Sequence, residues 1–149
     1  MDDIDKKLLN EIQSNFPITK RPYADLSEIL SCSEDEIIQR IKNLKKKGLI
    51  RRIGGNFESQ RLGFTTTLCA ARVPDEEIDR FVKVINQYTG VTHNYLRDHY
   101  FNIWFTFVAP DMSDIDKYID EIIQNTGVRE ILNLPAVKTF KILVDFDLG

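Results

Sequence analysis

The period of the apolar residues changes at Gly63, and no other feature restricts the fold of this chain as much. Before it, apolar side chains recur at intervals of three and four, as on helices; after it, short β-rich runs alternate with amphipathic stretches. That switch predicts an α+β chain of two small domains, residues 1–62 and 63–149, each with a limited core of its own.

In the first domain, Ile4, Leu8, Leu9 and Ile12 mark a helix that Pro17 ends, and Pro22 suits the first turn of a second. Ser33 with Glu36 three residues on is a capping box for a third helix, which carries Ile37, Ile38, Ile41 and Leu44 inward and stops at Gly48. Leu49 to Glu58 alternates and turns at Gly54-Gly55, so it reads as a two-stranded wing. Three helices and a wing make a winged helix-turn-helix, whose third helix commonly reads DNA. Here that helix opens with Glu34, Asp35 and Glu36, the wrong sign for phosphate, and Lys45, Lys46 and Lys47 sit at its end, where they complement the helix dipole. The first 62 residues carry 12 Lys+Arg against 10 Asp+Glu and the rest 8 against 13, giving a net charge of −3. Without a dense basic surface, nucleic acid is not the expected partner.

The second domain reads in the order β-α-β-β-α-β, a ferredoxin-like unit: strand Phe64 to Val73, helix Asp75 to Tyr88, strands Val91 to Leu96 and Phe101 to Val108, helix Ser113 to Asn125, and strand Val128 to Leu134. Val137 to Phe146 is a last extended segment. The two helices cover one sheet face, and the other calls for a second subunit or a planar apolar ligand. The central hairpin holds both histidines and the single tryptophan. Alternation places Val91, His93, Tyr95 and Arg97 on one face, so His93 and Arg97 can address one ligand with Tyr95 between them. Arginine clamps carboxylates bidentately, and histidine side chains exchange protons near neutral pH. The plainer readings are His93 as a hydrogen-bonded strand residue, His99 as an exposed turn residue, Trp104 as core, and Arg51 and Arg52 as solvated charge.

Cys32 and Cys69 stand far apart with no Cys/His cluster, so reduced thiols are expected and a structural zinc site is not. No apolar run approaches the ~20 residues that span a bilayer, and the chain opens acidic, which together point to a cytoplasmic protein with no membrane partner.

Arg51-Arg-Ile-Gly-Gly-Asn-Phe57, Thr92-His-Asn-Tyr-Leu-Arg97 with Tyr100-Phe-Asn-Ile-Trp-Phe105, and Asn133-Leu-Pro-Ala136 with Phe140-Lys-Ile142 resemble the siroheme decarboxylase branch of the Lrp/AsnC family. The resemblance covers essentially the whole chain. It implies a carboxy-lyase of haem biosynthesis that removes carbon dioxide from two acetate side chains of siroheme to give didecarboxysiroheme, working as a heterodimer with a homologous second subunit. It implies no prosthetic group and no metal held by the protein alone; iron enters with siroheme, with His93 or His99 as candidate ligands. His93, Tyr95 and Arg97 are then the candidate catalytic residues, and His99, Arg51, Arg52, Arg72 and Trp104 candidate substrate contacts. A DNA-binding Lrp/AsnC regulator and a tetrapyrrole sensor without turnover are the alternatives.

Overall fold

The computed structural model describes residues 1–55, 57–141, 146 and 148. Two compact units emerge, residues 1–55 with 141–149, and residues 56–140.

The first unit is built on helices α1 (Asp3–Ser14), α2 (Pro22–Leu30) and α3 (Glu34–Lys46). Asp2 caps α1 by accepting the Asp5 N–H at 2.8 Å, Pro22 occupies the first turn of α2, and Ser33 caps α3 by accepting the Glu36 N–H at 3.1 Å. Leu8, Leu26, Ile37, Ile41, Leu44 and Ile50 close the core between them. Gln13 of α1 exchanges two hydrogen bonds with the backbone of Phe146, at 2.8 and 3.1 Å. The described parts of the last extended segment, residues 137–141 and Phe146, form no strand, and residues 142–145 lie outside the described residues.

The wing expected at Leu49 to Glu58 has no strand pair among the described residues. Both two-residue hairpin turns need a positive φ at the first central position, and Gly54 does not adopt one. An unsupported two-stranded ribbon is also marginal in water.

Arg40, midway along α3, is consumed within this unit: Nη1 lies 2.8 Å from both Asp2 and Asp5, and Nη2 2.8 Å from Glu36. The Asp5 backbone N–H first, and Arg40 second, hold the Asp2 carboxyl below its ordinary value of 3.8. A depressed carboxylate contributes stability above its ordinary pKa and loses it as pH falls through the folded value. The melting midpoint of the helical unit is therefore expected to drop as pH falls below about 3.8, and Asp2→Asn to flatten that dependence in circular-dichroism melts across the acid range.

In the second unit, β1 (Thr65–Ala71), α4 (Ile78–Ile85), β2 (Val91–Leu96), β3 (Ile103–Ala109), α5 (Met112–Thr126) and β4 (Ile131–Pro135) follow the ferredoxin-like order. The sheet runs β2-β3-β1-β4 with every neighbouring pair antiparallel. One face packs Cys69, Ile103, Phe105 and Phe107 against Phe81 and Ile85 of α4 and Ile115, Ile119 and Ile122 of α5. Burial there pushes the Cys69 thiol up to about 12, with a further upward push from Asp116, so it stays protonated and inert. Gly90, just before β2, is required by close approach: a Cβ would stand 2.3 Å from the Val108 carbonyl oxygen and 2.9 Å from the Phe107 ring. Among the described residues, no helix is long and apolar enough to cross a membrane.

Candidate functional site

β3 alternates buried and half-exposed residues, with Ile103, Phe105, Phe107 and Ala109 toward the helices and Trp104, Thr106 and Val108 on the opposite face. Through the pairing register, that opposite face is ruled into rows. His93, Thr106, Leu68 and Leu134 form one row, and Tyr95, Trp104, Ala70 and Leu132 the next. Leu68, Leu132 and Leu134 are each 40% exposed and Tyr95 50%, which makes the face an uncovered apolar floor within the unit. A third row continues the ladder at the rim: the Arg97 N–H donates to the Asn102 carbonyl at 2.7 Å and the Arg72 N–H to the Glu130 carbonyl at 2.9 Å.

His93 and Tyr95 share this face as the alternation predicts, but Val91 does not. The register jumps between Val91 and His93, so Val91 sits opposite Phe107 and packs into the core while His93 sits opposite Thr106. Thr92 is the extra residue of a β-bulge, a device that re-aims side chains near functional sites. Its hydroxyl lies 3.0 Å from His93 Nδ1, and the His93 ring stacks on Tyr95 at 6.4 Å and 15°. When the Thr92 hydroxyl donates to Nδ1, the neutral imidazole carries its proton on Nε2, the nitrogen left for a ligand.

Arg97 extends over the indole of Trp104, its guanidinium carbon 5.0 Å from the ring centroid. Among the described residues it has no carboxylate partner within ion-pair distance. Trp104 is therefore floor rather than core, tied down by its indole N–H donating to the Phe101 carbonyl at 2.7 Å. His99 Nδ1 accepts the Phe101 N–H at 3.1 Å, and the His99 ring lies 6.2 Å from that of Trp104. Arg72 sits 4.2 Å over the Tyr100 ring, hydrogen-bonds its hydroxyl, and faces Glu130 at 3.6 Å.

The second unit thus gathers His93, Tyr95, Arg97, His99, Trp104 and Arg72 around one sheet face, while Arg51 and Arg52 belong to the first unit, both exposed. Thr92, Tyr100, Asn102 and Glu130 were not singled out by sequence reasoning; only the ladder register brings them to the site. Asn133, from the third family-like stretch, turns instead to the helix face, accepting from Thr67 at 2.6 Å and donating to Asp116 at 2.9 Å. A cleft of about 500 Å³ opens at the other end of the hairpin beside Phe64, Tyr88, Gly90, Phe107 and Tyr118. Its lining holds no charged residue, so it lacks the groups that would hold a carboxylate-fringed ligand.

Residues 5–51 match the family model of the siroheme decarboxylase NirDL-like HTH domain, and residues 61–141 that of the AsnC-like ligand binding domain. The chain is 51% identical over 146 residues to the siroheme decarboxylase alpha subunit of Desulfovibrio desulfuricans, spanning 98% of this chain and 84% of that one. It belongs to the siroheme decarboxylase family. The NirD subunit of the Pseudomonas aeruginosa siroheme decarboxylase is 38% identical over 148 residues, spanning 99% of this chain and 97% of that one. The crystal structure of the siroheme decarboxylase NirDL in complex with an iron-uroporphyrin III analogue superposes with a TM-score of 0.68 at 28% identity, over 95% of this chain and 48% of that one. Escherichia coli AsnC shares the fold, with a TM-score of 0.79 at 15% identity over 97% of both chains.

The bulge makes a prediction within this family. Thr92→Val should lower turnover by up to about tenfold, the worth of one hydrogen bond to a working side chain, and Thr92→Ser should restore it. A purely structural bulge would show the loss in the melting curve instead.

Proposed function

We propose that this chain is a subunit of a siroheme decarboxylase, acting with a homologous partner to convert two acetate side chains of siroheme to methyl groups with release of carbon dioxide. The observation that carries this reading is the sheet face itself: an apolar floor of Trp104, Leu68, Leu132 and Leu134, rimmed by Arg97 and Arg72 and flanked by His93. A flat macrocycle fringed with carboxylates asks for those groups. Two strand spacings separate the Arg97 and Arg72 backbones, about 10 Å, so two edges of one macrocycle can be held at once.

The chemistry is a heterolysis. The bond between the acetate methylene and its carboxylate breaks, the electron pair passes into the ring-conjugated carbon, and one proton must arrive there to leave a methyl group. Arg97 holds a ring carboxylate in register, the floor excludes water, and His93 in its imidazolium form delivers the proton from Nε2, its Nδ1–H held by the Thr92 hydroxyl. Tyr95 keeps the imidazole plane parallel to its own. The iron enters as part of the substrate. The second subunit supplies the cover that the exposed floor lacks, and the reaction belongs to the cytoplasm.

A DNA-reading role finds no support in the first unit: α3 opens with three acids, Arg40 is held by three carboxylates, and Arg21 pairs with Glu34 at 2.5 Å. The test is anaerobic incubation of siroheme with the chain and its homologous partner, followed by mass analysis of the tetrapyrrole. Stepwise loss of two carbon dioxide units supports the assignment. Bound but unaltered siroheme would return the chain to the sensor class.

A further inference from the structure

We infer that Asn102 is the positioning residue that fixes the spacing of the two rim arginines, and through it the recognition of a ligand carrying acetates on two edges. This rests on the reading of Arg97 and Arg72 as carboxylate contacts. Asn102 occupies the rim row between them, on β3's approach. Its amide clasps the backbone of Val73 from both sides, with Oδ1 accepting the Val73 N–H at 2.9 Å and Nδ2 donating to the Val73 carbonyl at 2.7 Å. Val73 directly follows Arg72. Asn102's own carbonyl accepts the Arg97 N–H at 2.7 Å. One residue is thus bonded to the backbone of Arg97 on one side and to the neighbour of Arg72 on the other.

The turn from Asp98 to Phe101 lies beyond the last cross-strand bond, Arg97 N–H to the Asn102 carbonyl, so no ladder bond restrains it. Tyr100 of that turn carries the Arg72 guanidinium on its ring, 4.2 Å away. Any drift of the turn therefore moves both guanidinium groups relative to each other. An amide is suited to this clasp because it donates and accepts at once and stays neutral beside two cations and an anionic ligand. Alanine removes the clasp; glutamine keeps both groups on an arm one methylene longer.

The experiment is an absorbance titration of the full-length wild type, Asn102→Ala and Asn102→Gln, each at a temperature below its own melting midpoint. The probes are iron uroporphyrin and iron coproporphyrin, which differ in that the first carries acetates where the second carries methyl groups. Wild type should prefer iron uroporphyrin, and Asn102→Ala should cut that preference about tenfold, since a misplacement near 1 Å is costly to a two-point clamp. Asn102→Gln should regain wild-type melting without regaining the full preference. Unchanged preference in both variants overturns the inference alone. Equal weakening toward both porphyrins assigns Asn102 a purely structural role and also overturns it. A wild type that shows no preference for the acetate-bearing ligand overturns the reading of the rim arginines as acetate contacts, and this inference with it.

Discussion

Replacing His93 by alanine is expected to lower siroheme turnover by about 10²- to 10⁴-fold, the usual contribution of a positioned acid or base. The same change should leave stability within about 0.5 kcal/mol, because His93 is exposed on the open face and supports no core contact. Its neighbours explain the separation. Val91, two residues earlier, is spent on the core opposite Phe107, so nothing of the helix-facing layer depends on the imidazole. The check is to measure single-turnover rates and melting curves on the same preparation with the partner subunit present. A fall in rate with melting preserved supports proton delivery by His93; parallel loss of both would falsify it and leave a packing residue.

Phe107→Ala should destabilise the second unit by about 3–5 kcal/mol, the cost of deleting a fully buried aromatic ring from a core that cannot collapse around the void. Phe107 is 0% exposed. Its ring stacks on Tyr118 at 5.5 Å and 7°, and meets Tyr88 and Phe105 edge-on at 5.9 and 6.3 Å. Gly90 is pressed against the same ring, so the entry of β2 also rests on it. The chain has one tryptophan, Trp104, three positions before Phe107 on β3, and its fluorescence reports this unit alone. Urea titration followed at that signal should show a lower midpoint with an unchanged slope. An unchanged midpoint would mean that the layer repacks without Phe107.

The order of helices and strands was legible in the sequence because it is written in local periods: intervals of three and four up to Lys46, intervals of two along β3. His93, Tyr95 and Arg97 were legible as one set for the same reason. Val91 was not, since a single inserted residue leaves alternation on both sides intact and only the partner strand reveals the shift. That Glu130, Tyr100 and Asn102 join Arg72 at the rim stayed hidden because it depends on which strand lies beside which, and β1 meets β4 across some sixty residues of chain. The wing misled in the opposite sense. Gly54-Gly55 satisfies the composition of a hairpin turn, yet Gly54 does not take the positive φ that such a turn needs.

The bulge at Thr92 also decides how relatives of this chain are to be compared. Position counting sets Val91 and His93 in step, whereas the ladder sets them on opposite sides of a sheet. A homologue lacking one residue here would still present its histidine outward, because Val91 opposite Phe107 and His93 opposite Thr106 are successive rungs. Deleting Thr92 therefore separates two properties that substitution leaves joined: the direction of the imidazole, which survives, and its hydroxyl partner, which is lost. Alignments in this family gain physical meaning when they are gapped at that rung.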